Sequence, residues 1–490
     1  MEFIRCCYIM AAITLCVPAA NAQQISYPVY SSQLLKETAA DAAMLLNKAM
    51  PGGNFISSEY SSLPSKGIIF IYDSTLTDNL ACKVQSDGSN YIIFSAAEDN
   101  GLCFGLYKYL QGLGFRFYQP GSIWEIIPAL TVVYKKTDST FTSGFKYNGW
   151  FVSGGHNRWI MDNNNEYDWD SYYGENGHNW ALYQRRNGMT GKYRFNGHRG
   201  DIMTGAYLAT LQSNPCYVAS FNNSRVANHS SVPDINNTAA MNLWAGTIEE
   251  KYTSYKNSLF NNTILYKNQI RRFSYNYGNI GIEVPDGARW GNTTNSSGCP
   301  GSGYPSESDQ QFILSNFTAK KINAAYSKSH FQVYAYSRHA DVPAPNIILD
   351  NNLDVQLIPA VYQTVTSTNG LRNRWYNRTK NISEYNYLNL SGWSGETPAF
   401  DLYEFKQTVQ IAKDKKSQGL VWEASPAKFA SLPYLFAANK SLLDNVAVDS
   451  ALQQFCDDMF GEAAQTIFEL LQSWADSKSM VSVSSNKYKI

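Results

Sequence analysis

Charged residues are scarce in this sequence, and the two signs cancel. Asp, Glu, Lys and Arg make up 16% of the 490 residues, with 40 acidic side chains against 40 basic ones. Proteins that bind nucleic acid or an anionic membrane surface carry clustered Lys and Arg, and no such tract occurs here. We therefore expect no nucleic acid among the partners.

Cysteines are few and scattered. Of the eight cysteines, three lie in the N-terminal segment (Cys6, Cys7 and Cys16), which leaves Cys82, Cys103, Cys216, Cys299 and Cys456. An odd, scattered set does not predict a disulfide framework, and the lack of a CxxC pair argues against a zinc ribbon or redox motif. Cys82 and Cys103 are the one pair close enough in sequence to suggest a bridge.

The short motifs of cofactor and metal enzymes are also missing. The sequence contains no Walker loop, no GxGxxG fingerprint and no HExxH spacing, so we expect no cofactor and no metal. The GxSxG nucleophile elbow is absent too, which disfavours a polysaccharide esterase.

Apolar runs long enough to suggest targeting are confined to the N-terminus. Arg5 precedes a short apolar run, and Ala20 and Ala22 supply the small residues of a cleavage site, which is the pattern of a secretory signal. The run is shorter than the about 20 residues of a bilayer span. We predict that residues 1–22 are a cleaved signal peptide and that the mature chain is secreted or periplasmic, without a membrane span. A lipid anchor on Cys16 is the less favoured alternative.

Aromatic residues are abundant, at 14%, with 34 Tyr and 11 Trp. Flat rings pack against the apolar faces of sugars in glycan sites, and they also fill ordinary cores. Composition alone does not separate the two uses.

The order of helical and strand patterns predicts two domains after the signal. A small α/β domain at residues 23–140 is indicated by a helix at 34–46, strands at 67–72 and 91–94, a second helix ending near Leu113 and a strand at 115–118. From residue 141 to 490, strand patterns alternate with helical ones, as in parallel βα units.

Eight strand candidates in this second domain fit a (β/α)8 TIM-type barrel, so the expected fold is α/β, a barrel preceded by the small α/β domain. The candidates cover residues 145–152, 192–196, 225–228, 273–284, 331–336, 355–359, 385–390 and 419–422. Helical periodicity predicts helices at 238–257, 309–326, 400–416 and 449–476, the last of them at the C-terminus.

Two of these strands end in carboxylates. The strand at 273–284 runs into Pro285, Asp286 and Gly287, and the proline and glycine indicate that Asp286 lies at its carboxyl end. The strand at 419–422 is an apolar run that stops at Glu423. Residues that follow barrel strands converge on one mouth, which is where such enzymes build their sites.

Cleavage of a glycosidic bond needs two carboxyl groups, one to protonate the leaving oxygen and one to act as nucleophile or base. We predict Asp286 and Glu423 as the catalytic pair, with Glu283 and Glu396 in reserve. Other side chains near the strand ends are predicted to bind substrate: His198, Arg199, Trp290, Tyr336, His339, Trp393 and Trp422. A structural ion pair explains Arg199 better than a role as a ligand for an acidic sugar does.

Several short motifs resemble the DUF4838 family of secreted, glycoside-hydrolase-like proteins. They are Val284-Pro-Asp-Gly287, Tyr334-Ala-Tyr-Ser337, Gly419-Leu-Val-Trp-Glu423, and residues 432–438 running into 455–464. Residues 105–121 and 145–149 also look like the end of the small domain and the first barrel strand of α-glucuronidases (family 67) and β-hexosaminidases (family 20). The resemblance implies a hydrolase-like barrel and a carbohydrate substrate, with Asp286 after the fourth strand and Glu423 after the eighth.

Two departures from these families matter. Many DUF4838 members have clustered cysteines after the Asp-Gly pair, whereas this chain has only Cys299, and the adjacent Asp-Glu pair of hexosaminidases is absent. We expect an exported glycoside hydrolase acting on a polysaccharide or oligosaccharide. The alternative is a non-catalytic carbohydrate-binding protein with a degenerate hydrolase barrel.

Overall fold

The computed structural model describes residues 22–78, 80–145, 147–152, 182–189, 198, 202–203, 205–261, 265–266, 269–270, 279–293, 298–299, 303–325, 330–359, 368–389, 402–424 and 432–480. Within these residues, two six-stranded sheets with helices packed against them form most of the structure.

The N-terminal part of the chain forms the first sheet. Its strands are β1 (Gln23–Pro28), β2 (Phe55–Tyr60), β3 (Gly67–Tyr72), β4 (Cys82–Ser86), β5 (Tyr91–Ala96) and, after the short ribbon of β6 (Arg116–Phe117) and β7 (Glu125–Ile126), β8 (Thr137–Phe141). The spatial order is β2-β1-β3-β5-β4-β8. Strands β2, β1, β3 and β5 are parallel, and β4 is antiparallel to its neighbours.

Helices α1 (Gln33–Ala49) and α2 (Asp99–Gly112) pack on this sheet. The sequence of α1 explains its start and its buried face. Ser32 caps the helix by accepting a hydrogen bond from the N–H of Leu35. Ala39, Ala42 and Leu46 then recur at helical spacing and are fully buried. The helix predicted at 34–46 therefore lies within α1.

The second sheet is parallel throughout. Its strands are β9 (Tyr147–Val152), β12 (Asn279–Gly281), β13 (His330–Ala335), β14 (Leu353–Leu357), β15 (Ile382–Asn389) and β16 (Gly419–Ala424), in the order β12-β13-β14-β15-β16-β9. The short strands β10 (Leu265–Tyr266) and β11 (Gln269–Ile270) pair separately. The accompanying helices are α3 (Gly205–Ser213), α4 (Thr238–Asn261), α5 (Glu307–Asn323), α6 (Thr368–Arg378), α7 (Leu402–Asp414), α8 (Leu432–Asp444), α9 (Val448–Phe460) and α10 (Ala464–Met480).

The two faces of this second sheet differ in polarity. Phe331 and Val333 of β13 point into the hydrophobic cluster that also holds helix residues. On the opposite face, Gln332 donates a hydrogen bond to Gln356 at 3.0 Å, and Gln356 donates to Ser383 at 3.4 Å. That face is polar, unlike the branched aliphatic layers that fill most barrels.

The predicted (β/α)8 barrel is found only in part. Six predicted strands correspond to strands of the second sheet, but within the described residues β12 and β9 remain edge strands and the sheet does not close. The strand predicted at 192–196 lies outside the described residues. The strand predicted at 225–228 is wrong, because these residues belong to no strand and follow a turn in which Asn222 and Asn223 have positive φ. The Arg225 side chain pairs with Asp234.

The single helix predicted at 449–476 is two helices. Gly461 has a φ of +53°, which glycine adopts most easily, and a short 3-10 turn at Gly461–Ala463 separates α9 from α10. Leu452 and Leu471 still join one hydrophobic cluster across the break. In the part of the chain that the structure describes, no helix combines the length and apolarity needed to cross a bilayer.

The expectation about cysteines is corrected. Cys216 and Cys299 form a disulfide bond across 83 residues of sequence, whereas Cys82 and Cys103 are buried free thiols. The pairing suggested by proximity in sequence was wrong because folding brings the segment after α3 beside the segment that follows β12. The bond closes a loop that contains residues 279–293.

A buried arginine joins helix α1 to the helical segment at 182–186. In the helical segment at 182–186, Arg186 donates two hydrogen bonds to Asp41 of α1, at 2.6 and 2.9 Å, and one to Glu125 at 2.6 Å. Burial alone would raise the pKa of Asp41, but the Arg186 guanidinium outweighs burial and lowers that pKa. The pair therefore locks α1 against this segment.

Replacing Arg186 should destabilise the fold strongly. In Arg186→Ala the Asp41 carboxylate stays buried without its main partner, and breaking such a pair costs about 3–5 kcal/mol. Urea unfolding would measure this, with Arg374→Ala as the control. That variant removes a partly exposed pair with Asp341 and should cost at most about 1 kcal/mol.

The effect of Arg186→Ala should also depend on pH. Because the pKa of Asp41 is lowered in the folded chain, its contribution is present at neutral pH and is lost as pH falls below about 4. The difference in unfolding free energy between wild type and Arg186→Ala should therefore shrink in acid. A loss no larger than that of Arg374→Ala at neutral pH would contradict a locking role for the pair.

Candidate active site

The candidate site starts where β12 ends. The N–H of Ile282 still donates to the carbonyl of Gln332 at 2.9 Å, so the extended pairing continues one residue beyond the strand. Ile282 and Val284 are buried in the hydrophobic cluster. Because successive side chains of an extended segment alternate, Glu283 points to the polar face.

The next residues turn the chain and carry Asp286 outward. Pro285 has no N–H for a further ladder bond, and Gly287 has a φ of +67°. The side chain of Asp286 is 69% exposed, and its Oδ1 accepts a hydrogen bond from the N–H of Gly287 at 2.9 Å. The two acids of this segment therefore have opposite environments.

Glu283 is a fully buried carboxylate with both oxygens hydrogen-bonded. The N–H of Tyr334 donates to its Oε2 at 2.7 Å, and Nε2 of His339 lies 3.1 Å from its Oε1. Its side chain is 1% exposed. A buried carboxylate is tolerated only with such partners, so Glu283 ties the segment after β12 to the end of β13 and to the 3-10 turn at Ser337–His339.

Hydrogen-bond partners fix the tautomer of His339. Nε1 of Trp290 lies 3.3 Å from Nδ1 of His339. An indole N–H can only donate, so Nδ1 of His339 accepts and the ring proton is on Nε2, from which it is donated to Glu283. Trp290, His339 and Glu283 thus form a directed chain of hydrogen bonds, here named the buried relay.

His198 lies between the two acids of the β12 segment. Its Nδ1 is 3.2 Å from the carbonyl of Val284, which can only accept, so Nδ1 carries a proton. Its Nε2 faces Oδ1 of Asp286 at 3.7 Å. The ring packs against Tyr334 and Tyr336, with centroids 5.2 and 4.9 Å away. His198 therefore presents one ring nitrogen to Asp286 while the other is anchored on the backbone.

Glu423 projects from β16 and meets tyrosines of the neighbouring strand. The hydroxyl of Tyr385 donates to Oε2 of Glu423 at 2.5 Å, and Tyr387 is its register partner on β15. The Tyr385 ring lies 6.0 Å from Tyr334 and 5.6 Å from Tyr387. With Tyr336, these residues form a tyrosine wall (Tyr334, Tyr336, Tyr385 and Tyr387) that extends from His198 to Glu423.

Both candidate acids act on the same part of this wall. Burial, followed by the charges of Asp286, Glu423 and Glu283, raises the pKa of Tyr336 to about 12. Burial and the charge of Glu423 raise the pKa of Tyr387 well above its usual value, and Asp286 adds to the rise. The hydroxyls therefore stay protonated as donors. Asp286 lines the cavity together with Tyr336, and Glu423 is the register partner of Tyr387.

An open cavity of about 300 Å³ covers the Asp286 side of the site. Ser337 lines it and has a φ of +50°, a strained conformation for a residue with a side chain and one that is common at functional sites. Side chains that contribute polar or aromatic surface to the cavity are His198, Phe221, Asp286, Arg289, Trp290, Tyr336, Arg338 and His339.

The structure brings together most of the residues predicted for the site, but not Trp422. Trp422 alternates with Glu423 on β16, and its ring packs 4.6 Å from Phe405 of α7 on the helix side of the sheet. Trp290 lines the cavity although it is only 1% exposed, and its indole N–H donates to His339. The remaining predicted site residues, Glu396, Arg199 and Trp393, lie outside the described residues.

Sequence reasoning missed five residues of the site: Tyr334, Tyr385, Tyr387, Arg289 and Arg338. The tyrosines had a usable signal, because each pair is spaced by two along a predicted strand and two-residue spacing puts side chains on one face. The two arginines had no such signal, because each lies in a loop after a strand and the sequence does not predict the conformation of that loop.

Comparison with solved structures shows a glycoside-hydrolase-like fold. A family GH115 4-O-methyl-α-glucuronidase with specificity for decorated arabinogalactans superposes with a TM-score of 0.53 at 11% identity, covering 93% of this chain and 62% of the other. The chain thus spans less than two thirds of that enzyme. A family 89 glycoside hydrolase from Clostridium perfringens gives a TM-score of 0.46 at 9% identity, covering 90% of this chain and 52% of the other. A GH20 β-N-acetylhexosaminidase from Streptomyces coelicolor A3(2) gives 0.43 at 12% identity, covering 92% of each chain.

No protein-family model matches the chain, and no curated protein is similar to it in sequence. The resemblance to the DUF4838 family is therefore not confirmed, whereas the broader relation in fold to glycoside hydrolases is supported.

The buried relay predicts a specific protonation pattern that NMR can measure. At neutral pH, ¹⁵N spectra of the ring nitrogens should show His339 protonated at Nε2 and unprotonated at Nδ1. In Trp290→Phe the donor to Nδ1 is lost, so the Nδ1 chemical shift should move to that of a nitrogen without a hydrogen bond, while Nε2 stays protonated because the Glu283 carboxylate only accepts. Trp244→Phe removes a different buried indole and should leave the His339 pattern unchanged. Protonation at Nδ1 in the wild-type protein would refute the relay.

Proposed function

We propose that this chain is an exported glycoside hydrolase that cleaves a polysaccharide or oligosaccharide, with Asp286 and Glu423 as its catalytic carboxylates. The observation that carries the proposal is that one tyrosine wall, at the carboxyl ends of parallel strands, meets both carboxylates: Asp286 lines the cavity together with Tyr336, and Glu423 accepts a hydrogen bond from Tyr385. Two carboxyl groups beside one binding surface are the minimum equipment for this reaction. The glycoside-hydrolase-like fold supports the same class.

Glu423 suits the role of nucleophile or base. It accepts a hydrogen bond from Tyr385, and such a bond favours the ionised carboxylate. Burial, followed by the charge of Glu423, raises the pKa of Tyr385, so this hydroxyl keeps its proton and remains a donor. An ionised Glu423 would either attack the anomeric carbon or take a proton from the water that attacks it.

Asp286 suits the role of general acid. It lies at the cavity, exposed to an incoming sugar, and has His198 Nε2 at 3.7 Å. In its protonated form Asp286 would give its proton to the glycosidic oxygen as the bond to the anomeric carbon breaks. One water is consumed, its hydroxyl ending on the anomeric carbon and its proton restoring the acid.

Glu283, which the sequence suggested as a reserve catalytic residue, suits a positioning role instead. Both of its oxygens accept hydrogen bonds and its side chain is 1% exposed, so a substrate does not reach it. Its fixed charge lies 3.9 Å from Nδ1 of His198 and orients that ring toward Asp286. The buried relay thus orders the groups that would touch the sugar.

Isosteric substitutions test the catalytic pair. Asp286→Asn and Glu423→Gln should each lower kcat on a cleaved glycan by about 10²–10⁴-fold, because each removes a proton donor or an anion while keeping the shape. Release of reducing sugar from a panel of plant, microbial and host glycans is the measurement. Tyr385→Phe should cause a smaller loss, since it leaves Glu423 in place.

Glu462→Gln is the matched control, because Glu462 is an exposed carboxylate in the turn between α9 and α10. Its activity should equal that of the wild type. Wild-type turnover in both Asp286→Asn and Glu423→Gln would overturn the assignment. Binding of a glycan without turnover by the wild-type protein would favour the non-catalytic alternative.

Two arginines at the cavity favour a sugar that carries an acidic group. Arg289 and Arg338 both line the cavity, against the single carboxylate of Asp286. The Arg289 guanidinium lies 5.9 Å from the ring of Phe221, and Arg338 pairs with Glu307 while its side chain remains 52% exposed. Guanidinium groups bind carboxylates with paired hydrogen bonds, so a uronic acid is the substrate that fits this lining.

Charge-removing variants test that preference. Arg289→Gln and Arg338→Gln should raise KM for an acidic glycoside by roughly tenfold, about the worth of one charge-assisted hydrogen bond. They should change KM for the neutral counterpart by much less. Arg374→Gln, outside the cavity, is the control. Equal increases in KM for the acidic and neutral glycosides would show that the arginines do not recognise the charge of the substrate.

A further inference from the structure

A second group of tyrosines lies on the first sheet, away from the candidate active site. Tyr60 ends β2, Tyr30 follows β1 and Tyr72 ends β3. These three strands are adjacent and parallel, so the tyrosines, here named the tyrosine row, lie at one edge of the sheet. The strand register places Tyr60 on the opposite face of the sheet from Tyr72, so the stacking surface consists of Tyr30 and Tyr72.

The row is placed at a point where sheets of this kind bind ligands. From β1 the chain passes through α1 to β2 on one side, and then to β3 on the other side of β1. The connections therefore diverge at the carboxyl ends of β1 and β3. In open sheets with parallel strands, such divergence leaves a crevice that commonly binds ligands. Tyr30 and Tyr72 stand on either side of it.

Tyr30 is a large aromatic residue that is exposed and does not contribute to the hydrophobic core. Its side chain is 76% exposed, whereas the neighbouring core rings of this sheet, such as Phe70 and Phe94, are fully buried. One face of Tyr30 stacks on Tyr72, with centroids 5.7 Å apart and an angle of 27°. The other face is open to solvent. Its ring thus gains little from burial and offers a flat apolar surface.

Tyr72 and Tyr60 are both held in place by hydrogen bonds. The hydroxyl of Tyr72 donates to Asp99 at the start of α2, and the hydroxyl of Tyr60 donates to the carbonyl of Phe70 at 2.7 Å. The row is therefore rigid on two of its three members. A rigid aromatic surface loses little conformational entropy when a ligand stacks on it.

The polar groups beside the row indicate what ligand it takes. Asp73 follows Tyr72 directly and accepts hydrogen bonds from Thr75, and Asp99 accepts from Tyr72 itself. The nearest cation on α1, Lys36, is paired with Glu59. Carboxylates beside the rings disfavour an anion and can accept hydrogen bonds from hydroxyl groups. Flat apolar faces rimmed by hydroxyl groups are the property of neutral sugars.

We propose that the tyrosine row is a second, non-catalytic binding surface for a neutral saccharide chain, with Tyr30 as its stacking residue. The surface lies on a different sheet from Asp286 and Glu423, and it does not require the chain to hydrolyse what it binds. It would hold a polymer to the protein independently of the cavity.

Tyr30→Ala tests this surface. Affinity electrophoresis in gels containing neutral polysaccharides, such as β-glucan, mannan and xylan, should show binding by the wild-type protein that weakens about tenfold in Tyr30→Ala. Tyr403→Ala is the matched control, because Tyr403 is 71% exposed on α7, and it should bind as the wild type does. Tyr30→Phe keeps the ring and should retain most of the affinity.

The same variants separate this proposal from the catalytic one. Asp286→Asn and Glu423→Gln should keep the Tyr30-dependent binding, and Tyr30→Ala should keep the turnover of a small soluble glycoside. Unchanged polysaccharide binding in Tyr30→Ala would overturn the proposal, as would an equal loss in Tyr30→Phe and Tyr30→Ala. So would the absence of binding to every neutral polysaccharide by the wild-type protein.

Discussion

The arrangement of the candidate site depends on one buried carboxylate, Glu283. Its oxygens accept hydrogen bonds from the backbone of Tyr334 and from His339, and a carboxylate at this depth would be strongly destabilising without them. Satisfying Glu283 requires the segment after β12, the end of β13 and the turn at His339 to adopt one mutual geometry. His198 and Asp286 are carried on that same segment or packed against it. The residue that orders the site is therefore hidden, while the residues that would meet a substrate are exposed.

Hydrophobic periodicity predicted most of the individual elements because it reports which side of a helix or strand is buried. Strands β13 and β16 and helix α1 were all recognisable this way. The failures came where backbone conformation or a distant partner decided the outcome. At Gly461 a positive φ breaks a continuous apolar stripe, and before Arg225 a turn with positive φ at Asn222 and Asn223 interrupts the extended backbone. Closure of a barrel depends on strand register around the whole circuit, which local patterns do not encode.

For the site, the sequence indicated which carboxylates follow strands but not how each is surrounded. Asp286 and Glu423 were chosen from strand-end position, and both lie along the tyrosine wall. Glu283 lies in extended backbone and points to the buried polar face, as alternation predicts once the strand's end is known, whereas Asp286 follows the turn at Pro285 and is exposed. Its contact with His339, 56 residues away, depends on tertiary structure. Trp422 shows the opposite error, since an aromatic residue next to a site residue on a strand faces the other way.

The bond between Cys216 and Cys299 sets a condition on where this geometry can form. A bridge across 83 residues is made in oxidising compartments, and cytosolic thiols are kept reduced. The bridge closes the loop that carries both Asp286 and Arg289. A chain made in a reducing cytosol would contain every residue of the cavity but would lack this covalent tether. The loop that carries these cavity residues is therefore covalently tethered only where the chain folds in an oxidising compartment.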